Sequence, residues 1–236
     1  MVVERPFDNA AQMARTLAGD IAAKLREAVD ARGRGSFVAT GGTTPAPLYR
    51  ELSRLEAPWR DITVTLSDER WVPTSDPASN EALVRRTLLT GAAHAAVLAP
   101  FKTSAESPSD AVTDVDLALR AMPRPFDVTL LGLGADGHIA SLFPGASGYD
   151  VAMANTESDP LVHAIHAPQA FGAPHRMTLT LAALLASRLL VLMFSGAAKH
   201  DVYQAACAGV SGTPIHDLLV RARAPVWVCW SMEVAP

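Results

Sequence analysis

The residues that could carry chemistry in this 236-residue chain fall into a few short clusters. Residues 131–145 read Leu-Gly-Leu-Gly-Ala-Asp-Gly-His-Ile-Ala-Ser-Leu-Phe-Pro-Gly and set His138 two residues after Asp136 in a glycine-rich stretch. An imidazole, with an ordinary pKa of about 6.5, can accept a proton near neutral pH, and a nearby carboxylate can orient it and favour its charged form. The pattern points to general-base chemistry, with a capping or core histidine as the alternative. In Gly41-Gly42-Thr43-Thr44-Pro45 the glycines let backbone N–H groups approach a ligand and the hydroxyls add donors. A helix opening there would turn its positive end toward an anion, although a tight turn with a threonine cap fits the same residues. Asp68-Glu69-Arg70 places three charges directly after an apolar run, either as a plain polar loop or as part of a site. Arg176 stands in Pro-His-Arg-Met-Thr, and Lys199 follows Gly-Ala-Ala at the head of an expected helix. Each alone fits a solvated surface charge, but a cation opposes the helix dipole at Lys199, which favours an anion-binding role there.

Other chemistries fit less well. Gly132-Leu-Gly-Ala-Asp-Gly137 matches dinucleotide-loop spacing, but that motif needs a helix running on from its third glycine, and Pro144-Gly145 would stop one. No Gly-Lys-Ser/Thr follows the Gly41 loop, and no Gly-x-Ser-x-Gly elbow occurs. Cys207, in an expected helix, and Cys229, in an apolar strand, read as buried packing residues. Activated water is therefore a better candidate than a covalent nucleophile. His163 and His166 would face opposite sides of a strand, and with His175 they find no carboxylate or cysteine at ligand spacing, so no metal site is expected.

The elements that must position these clusters alternate along the chain. Helices are expected over Asn9–Arg32 (closed by Gly33), Pro45–Leu55, Ser79–Leu89 (capped near Ser79), Asp110–Ala121 and Ala197–Ala208. Strands are expected over Ser36–Thr40, Ile62–Leu66, Val128–Leu131, Leu161–Ile165, Leu189–Phe194 and Val226–Trp230, with Gly91–Pro108 as loop. This alternation predicts an α/β, Rossmann-like single domain over residues 1–236, with a mainly parallel sheet between two helical layers. In such sheets ligands bind beyond the carboxyl ends of the strands. The Gly41 loop, Asp68–Arg70, the His138 loop and Ser195–Lys199 all follow strands, so they should meet at one edge.

Bulk properties narrow the class. Hydrophobic residues make up 49% and charged residues 19%, enough for a core and against whole-chain disorder. A formal net charge of -4 gives no reason to bind nucleic acid or anionic membranes. The start of the chain lacks a signal-peptide pattern, and no apolar run approaches the ~20 residues of a membrane span. A soluble cytoplasmic protein is expected.

Taken together, Gly-Gly-Thr-Thr-Pro at 41–45, Ser-Asp-Glu-Arg-Trp-Val-Pro at 67–73, the 131–145 segment, His-Arg-Met-Thr-Leu-Thr at 175–180 and Ser-Gly-Ala-Ala-Lys at 195–199 resemble the 6-phosphogluconolactonase family. That family lies within the glucosamine-6-phosphate deaminase/isomerase-like superfamily, and the likeness runs in order through nearly the whole chain. It implies the phosphosugar-binding variant of the fold and hydrolysis of 6-phospho-D-glucono-1,5-lactone in the oxidative pentose phosphate pathway. It also implies His138 as general base, Asp136 fixing the histidine or a substrate hydroxyl, and Arg70 stabilising charge on the carbonyl oxygen. Gly41, Gly42, Thr43, Thr44, Arg176 and Lys199 would hold the 6-phosphate, with Asp68 also on the substrate. No metal or organic cofactor is implied, and the partner is the sugar-phosphate lactone alone, on a monomer or weak homodimer. The family loop usually has serine where Thr43 stands, which keeps the hydroxyl. Deaminases of the superfamily continue with Phe-Asn-Glu-Pro-Gly, and Phe143 occupies the position of that glutamate. They generally carry an aromatic at the position of Arg70. A sugar-phosphate sensor would need a DNA-binding module, for which the residues ahead of the first helix are too few.

Overall fold

The computed structural model describes residues 1–154, 156, 158–210 and 212–232. The first half runs β1 (Val2–Phe7), α1 (Ala10–Arg32), β2 (Gly35–Ala39), α2 (Ala46–Leu52), β3 (Ile62–Leu66), β4 (Asp68–Arg70), α3 (Asn80–Thr87), β5 (Val97–Leu98) and α4 (Pro108–Arg120). The second runs β6 (Val128–Gly132), α5 (Tyr149–Ala154), β7 (Val162–His166), β8 (His175–Leu179), α6 (Leu181–Leu185), β9 (Leu190–Ser195), α7 (Ala197–Cys207), α8 (Pro214–Arg221) and β10 (Val226–Ser231).

Local chemistry sets the helix ends. In α1 Met13, Leu17, Ile21 and Leu25 recur on one buried face, and the Asn9 side chain accepts from Gln12 N. Gly33, at φ 72°, closes the helix by donating to Val29 O. Ser79 caps α3 through Ala82 N, while Ser107 and Asp110 form a capping box on α4 ahead of Pro108.

Seven strands form one parallel sheet in the order β1-β10-β9-β6-β2-β3-β5. Every residue of β2 and β9 is buried, so both faces of the sheet are covered. The chain leaves β2 outward to β3 and β5, then returns to lay β6 against the other side of β2. The topological switch point therefore lies between β2 and β6, where this architecture opens a crevice. The loops beginning at Thr40 and at Leu133 border it.

A second sheet, antiparallel in the order β4-β8-β7, lies beyond the carboxyl end of β3. Ser67 joins the two sheets: its N–H donates to Ala39 O at 2.7 Å and its carbonyl accepts from Leu179 N at 2.8 Å. Asp68–Arg70 is accordingly a strand and not the polar loop its composition suggests. Helix α2 ends at Leu52, short of the expected Leu55. The expected loop 91–108 contains a 3-10 turn and the edge strand β5. Cys229 is buried as expected, but Cys207 is exposed, because it falls on the outward side of the last turn of α7. Among the described residues no helix is long and apolar enough to cross a membrane.

Candidate active site

The His138 loop folds back on itself. Gly134 N donates to His138 O at 2.9 Å and Gly137 N to Gly134 O at 3.1 Å. This brings the imidazole against Gly134, where a Cβ would stand 2.0 Å from His138 Nδ1. Only glycine leaves that space. Asp136 Oδ1 lies 2.5 Å from Nδ1 and also accepts from His138 N at 3.3 Å. These bonds, led by that to the imidazole, hold the Asp136 carboxyl below its ordinary range, with partial burial opposing them. An ionised carboxylate at Nδ1 fixes the tautomer that leaves Nε2 as the acceptor. No helix runs on from Gly137, in agreement with the exclusion of a dinucleotide loop. Ala140, two residues after His138, sits at φ 49°, a strained conformation for a side-chain-bearing residue and a mark of functional loops.

Facing His138 is a cavity of about 240 Å³. It is lined by Gly41, Gly42, Thr43, Thr44, Asp68, Arg70, His138, Arg176 and Lys199, so the structure brings together every site residue expected from the sequence except Asp136, which reaches it through His138. Arg70 and Arg176 are register partners across β4 and β8. Two guanidinium groups on opposed residues repel, which favours an anion between them. Arg176 is 3% exposed, and burial lowers its pKa, with Asp68 opposing and Arg70 adding to the effect. Lys199 is half-buried in the first turn of α7, and burial lowers its pKa as well. Among the described residues Arg70, Arg176 and Lys199 form no ion pair. Gly42, at φ 94°, makes the turn that a side chain would resist, and leaves Thr43 at the surface.

Further side chains hold these walls in place together with Asp68, among them Tyr49, which the sequence reading did not single out. Tyr49 OH accepts from Thr40 N at 2.8 Å and donates to Thr40 O at 2.7 Å, pinning the start of the Gly41 loop. Burial raises the Tyr49 phenol far above its usual range, so it stays protonated. Asp68, 5% exposed, accepts from Ser141 Oγ at 2.6 Å and Ser67 Oγ at 3.0 Å. Ser67 Oγ also lies 3.2 Å from the Thr40 hydroxyl, and Arg176 Nη1 reaches Ser141 Oγ at 3.4 Å. One buried network thus ties the loops after β2, β3 and β6 to β8. Asn80 Nδ2 donates to Asp68 O at 2.8 Å, and Asn80 Oδ1 fills the space a Cβ on Gly41 would need. Side chains alternate along β4, so Glu69 points away from the cavity. Its carboxylate accepts from Arg70 N, Ser79 Oγ, Asn80 N and Glu81 N and caps α3. Burial raises its pKa and those four bonds lower it. Ser141 and Asn80 are ordinary polar residues in the sequence, and their place in the network depends on contacts 73 and 12 residues away.

The geometry can be set beside known proteins. Residues 8–227 match the model of the family described as glucosamine-6-phosphate isomerases/6-phosphogluconolactonase. A 6-phosphogluconolactonase of Mesorhizobium japonicum is 40% identical over 226 residues, covering 95% of this chain and 93% of that protein. One from Caulobacter vibrioides is 42% identical over 209 residues, 88% of each. A crystal structure of a 6-phosphogluconolactonase from Shewanella baltica superposes with a TM-score of 0.91 at 37% identity, covering 98% of both chains. This chain belongs to the glucosamine-6-phosphate isomerase/6-phosphogluconolactonase family, and within it to the 6-phosphogluconolactonases.

Proposed function

We propose that this enzyme hydrolyses 6-phospho-D-glucono-1,5-lactone to 6-phospho-D-gluconate, the second step of the oxidative pentose phosphate pathway, with water activated by His138. The observation that carries the reading is a histidine, held at Nδ1 by Asp136, on the rim of a cavity whose walls carry three cations that form no ion pair among the described residues. The Gly41–Thr44 loop, Arg176 and Lys199 hold the phosphate dianion. His138 Nε2 takes a proton from water as its oxygen bonds to the lactone carbonyl carbon. Arg70 stabilises the oxyanion that forms, and Asp136 stabilises the imidazolium. The tetrahedral centre then collapses with cleavage of the bond to the ring oxygen, which receives the proton from His138. The product acid ionises in water, and His138 is again neutral. Asp68 orients the wall through Ser141 and Ser67 and faces the sugar. The substrate is a small soluble metabolite, so the reading places the enzyme in the cytoplasm with no nucleic-acid or membrane partner.

Generating the lactone from glucose 6-phosphate with a dehydrogenase, and following its loss above the spontaneous rate, tests this directly. Catalysed hydrolysis that disappears in H138A while the fold is kept supports the reading. Ammonia release from glucosamine 6-phosphate at a comparable rate would instead indicate deaminase chemistry, for which Phe143 offers no proton-transfer group.

A further inference from the structure

Phe143 lies between two of the groups assigned above. Its ring centroid is 4.1 Å from that of His138, with the planes at 36°. The guanidinium carbon of Arg176 lies 5.1 Å from the same ring. A tight turn fixes Phe143 there, with Phe143 N donating to Ser141 O at 3.2 Å and Ala146 N to Phe143 O at 3.0 Å. Asp136 and Gly134 restrain one edge of the imidazole, while Phe143 covers its face. Arg176 gives its hydrogen bonds to Phe171 O, Ala173 O and Ser141 Oγ, all neutral acceptors. Asp68 and Glu69 favour the Arg176 charge from a distance, but no carboxylate bonds it directly, and an aromatic ring adds stabilisation without cancelling the charge. A carboxylate in place of that ring would pair with Arg176 and remove the charge from any ligand.

We infer that Phe143 is a positioning residue, which holds the plane of His138 and stabilises the buried charge of Arg176 while leaving that charge available to an anion. The kinetic part rests on the reading of His138 and Arg176 given above. The anion-binding part rests on the ring's contact with Arg176 in the cavity wall and needs no lactone chemistry.

The variants F143L, F143Y and F143E test it, each measured for lactone turnover, for inorganic phosphate affinity by calorimetry, and for thermal midpoint. F143L keeps apolar bulk but loses the aromatic face, so its phosphate affinity should fall about three- to tenfold, with kcat falling as well. F143Y, which keeps the aromatic face, should restore both. F143E should bind phosphate most weakly of the three while remaining folded. A ring that serves packing alone would lower the thermal midpoint and leave the phosphate affinity of the folded protein unchanged. That pattern, wild-type affinity in F143E, or no phosphate binding by the wild type would each overturn the inference. Absence of lactone turnover in the wild type would instead refute the proposed function, and the phosphate series would still decide the role of Phe143.

Discussion

Replacing Gly134 with alanine should disable the base without touching it. The added Cβ would lie 2.0 Å from His138 Nδ1, 2.2 Å from Cε1 and 2.6 Å from Asp136 Oδ1. Ordinary contact begins near 3.4 Å, so the imidazole must move by about 1.4 Å (3.4 − 2.0). Gly134 is not among the residues at positive φ, so its backbone accepts alanine, and the severest contacts fall on His138 and Asp136. A misplacement of about 1 Å can cost roughly a hundredfold in rate, and a positioned base contributes up to about 10⁴-fold. The expected loss in kcat is therefore about 10² to 10⁴, or roughly 3–5 kcal/mol in the barrier. KM should change little, because Arg176 and Lys199 lie outside the clash. The coupled dehydrogenase assay, corrected for spontaneous opening, measures this. Gly19→Ala in α1 is the control, since its Cβ meets nothing within 4 Å. It should leave activity unchanged and add roughly 0.5–1 kcal/mol of stability. Wild-type kcat in G134A would show that catalysis does not need the imidazole where the structure places it, and the general-base assignment would fall.

The remaining expectations follow from the same geometry. Lys199→Met should raise KM by roughly tenfold or more while leaving the ligand-free thermal midpoint equal or higher, since it removes a half-buried charge without an ion pair. With its folded pKa lowered, Lys199 loses its proton in the native state before the unfolded chain does, at about 10.4. The unfolded state then binds more protons, so this residue makes stability rise with pH over that interval, and pH-dependent melts should lose the rise in the methionine variant. Asp136→Asn should lower kcat by roughly 10- to 100-fold at every pH near neutrality, because the depressed carboxyl stays ionised there. Any stabilisation from that carboxylate is present above its unfolded pKa of about 3.9 and is lost only as pH falls through the lower folded value, which acid titration of the melting curve would show. Glu69→Ala should destabilise the fold by about 3 kcal/mol, a drop in midpoint of roughly 6–12 °C, since three donors at the head of α3 and Arg70 N in β4 lose a buried acceptor.

The parts of the fold legible in the sequence share one physical property. Strands β2, β3, β6, β9 and β10 are largely buried, so they appear as short apolar runs that need no partner to be recognised. β1 reads Val-Val-Glu-Arg-Pro-Phe, with exposed valines and a proline that only an edge strand tolerates. Its register against β10 makes it a strand, and that partner lies more than two hundred residues away. In the second sheet β7 answers to the strand expected over Leu161–Ile165, while β4 and β8 are hidden for the same reason. β4 is three charged residues, and only β8 makes Asp-Glu-Arg extended. The site residues were legible because their types and their places after strands reflect local chemistry. Their mutual arrangement was not, because the pairing of Arg70 with Arg176 and the reach of Ser141 to Asp68 are both non-local.

What the fold adds to that list of residues is control over the carboxylates. Three of the 24 acidic side chains belong to the segments that build the cavity, close enough in sequence to neutralise its cations. Two are committed elsewhere, and the third lines the cavity with its oxygens held by hydroxyl groups. Asp136 holds His138 Nδ1, Glu69 turns away along β4 to cap α3, and Asp68 is bound by Ser67 and Ser141. The register of β4 sends Glu69 outward, and the second sheet sets Arg176 opposite Arg70. Phe143 then covers the buried guanidinium with a ring instead of a fourth acid. Pairing any of these cations with a carboxylate would gain stability in the empty protein and lose affinity for a phosphorylated substrate. The positive wall is therefore the feature that links this sequence to a phosphosugar. It depends less on where the arginines and the lysine stand than on where the nearby acids have been placed.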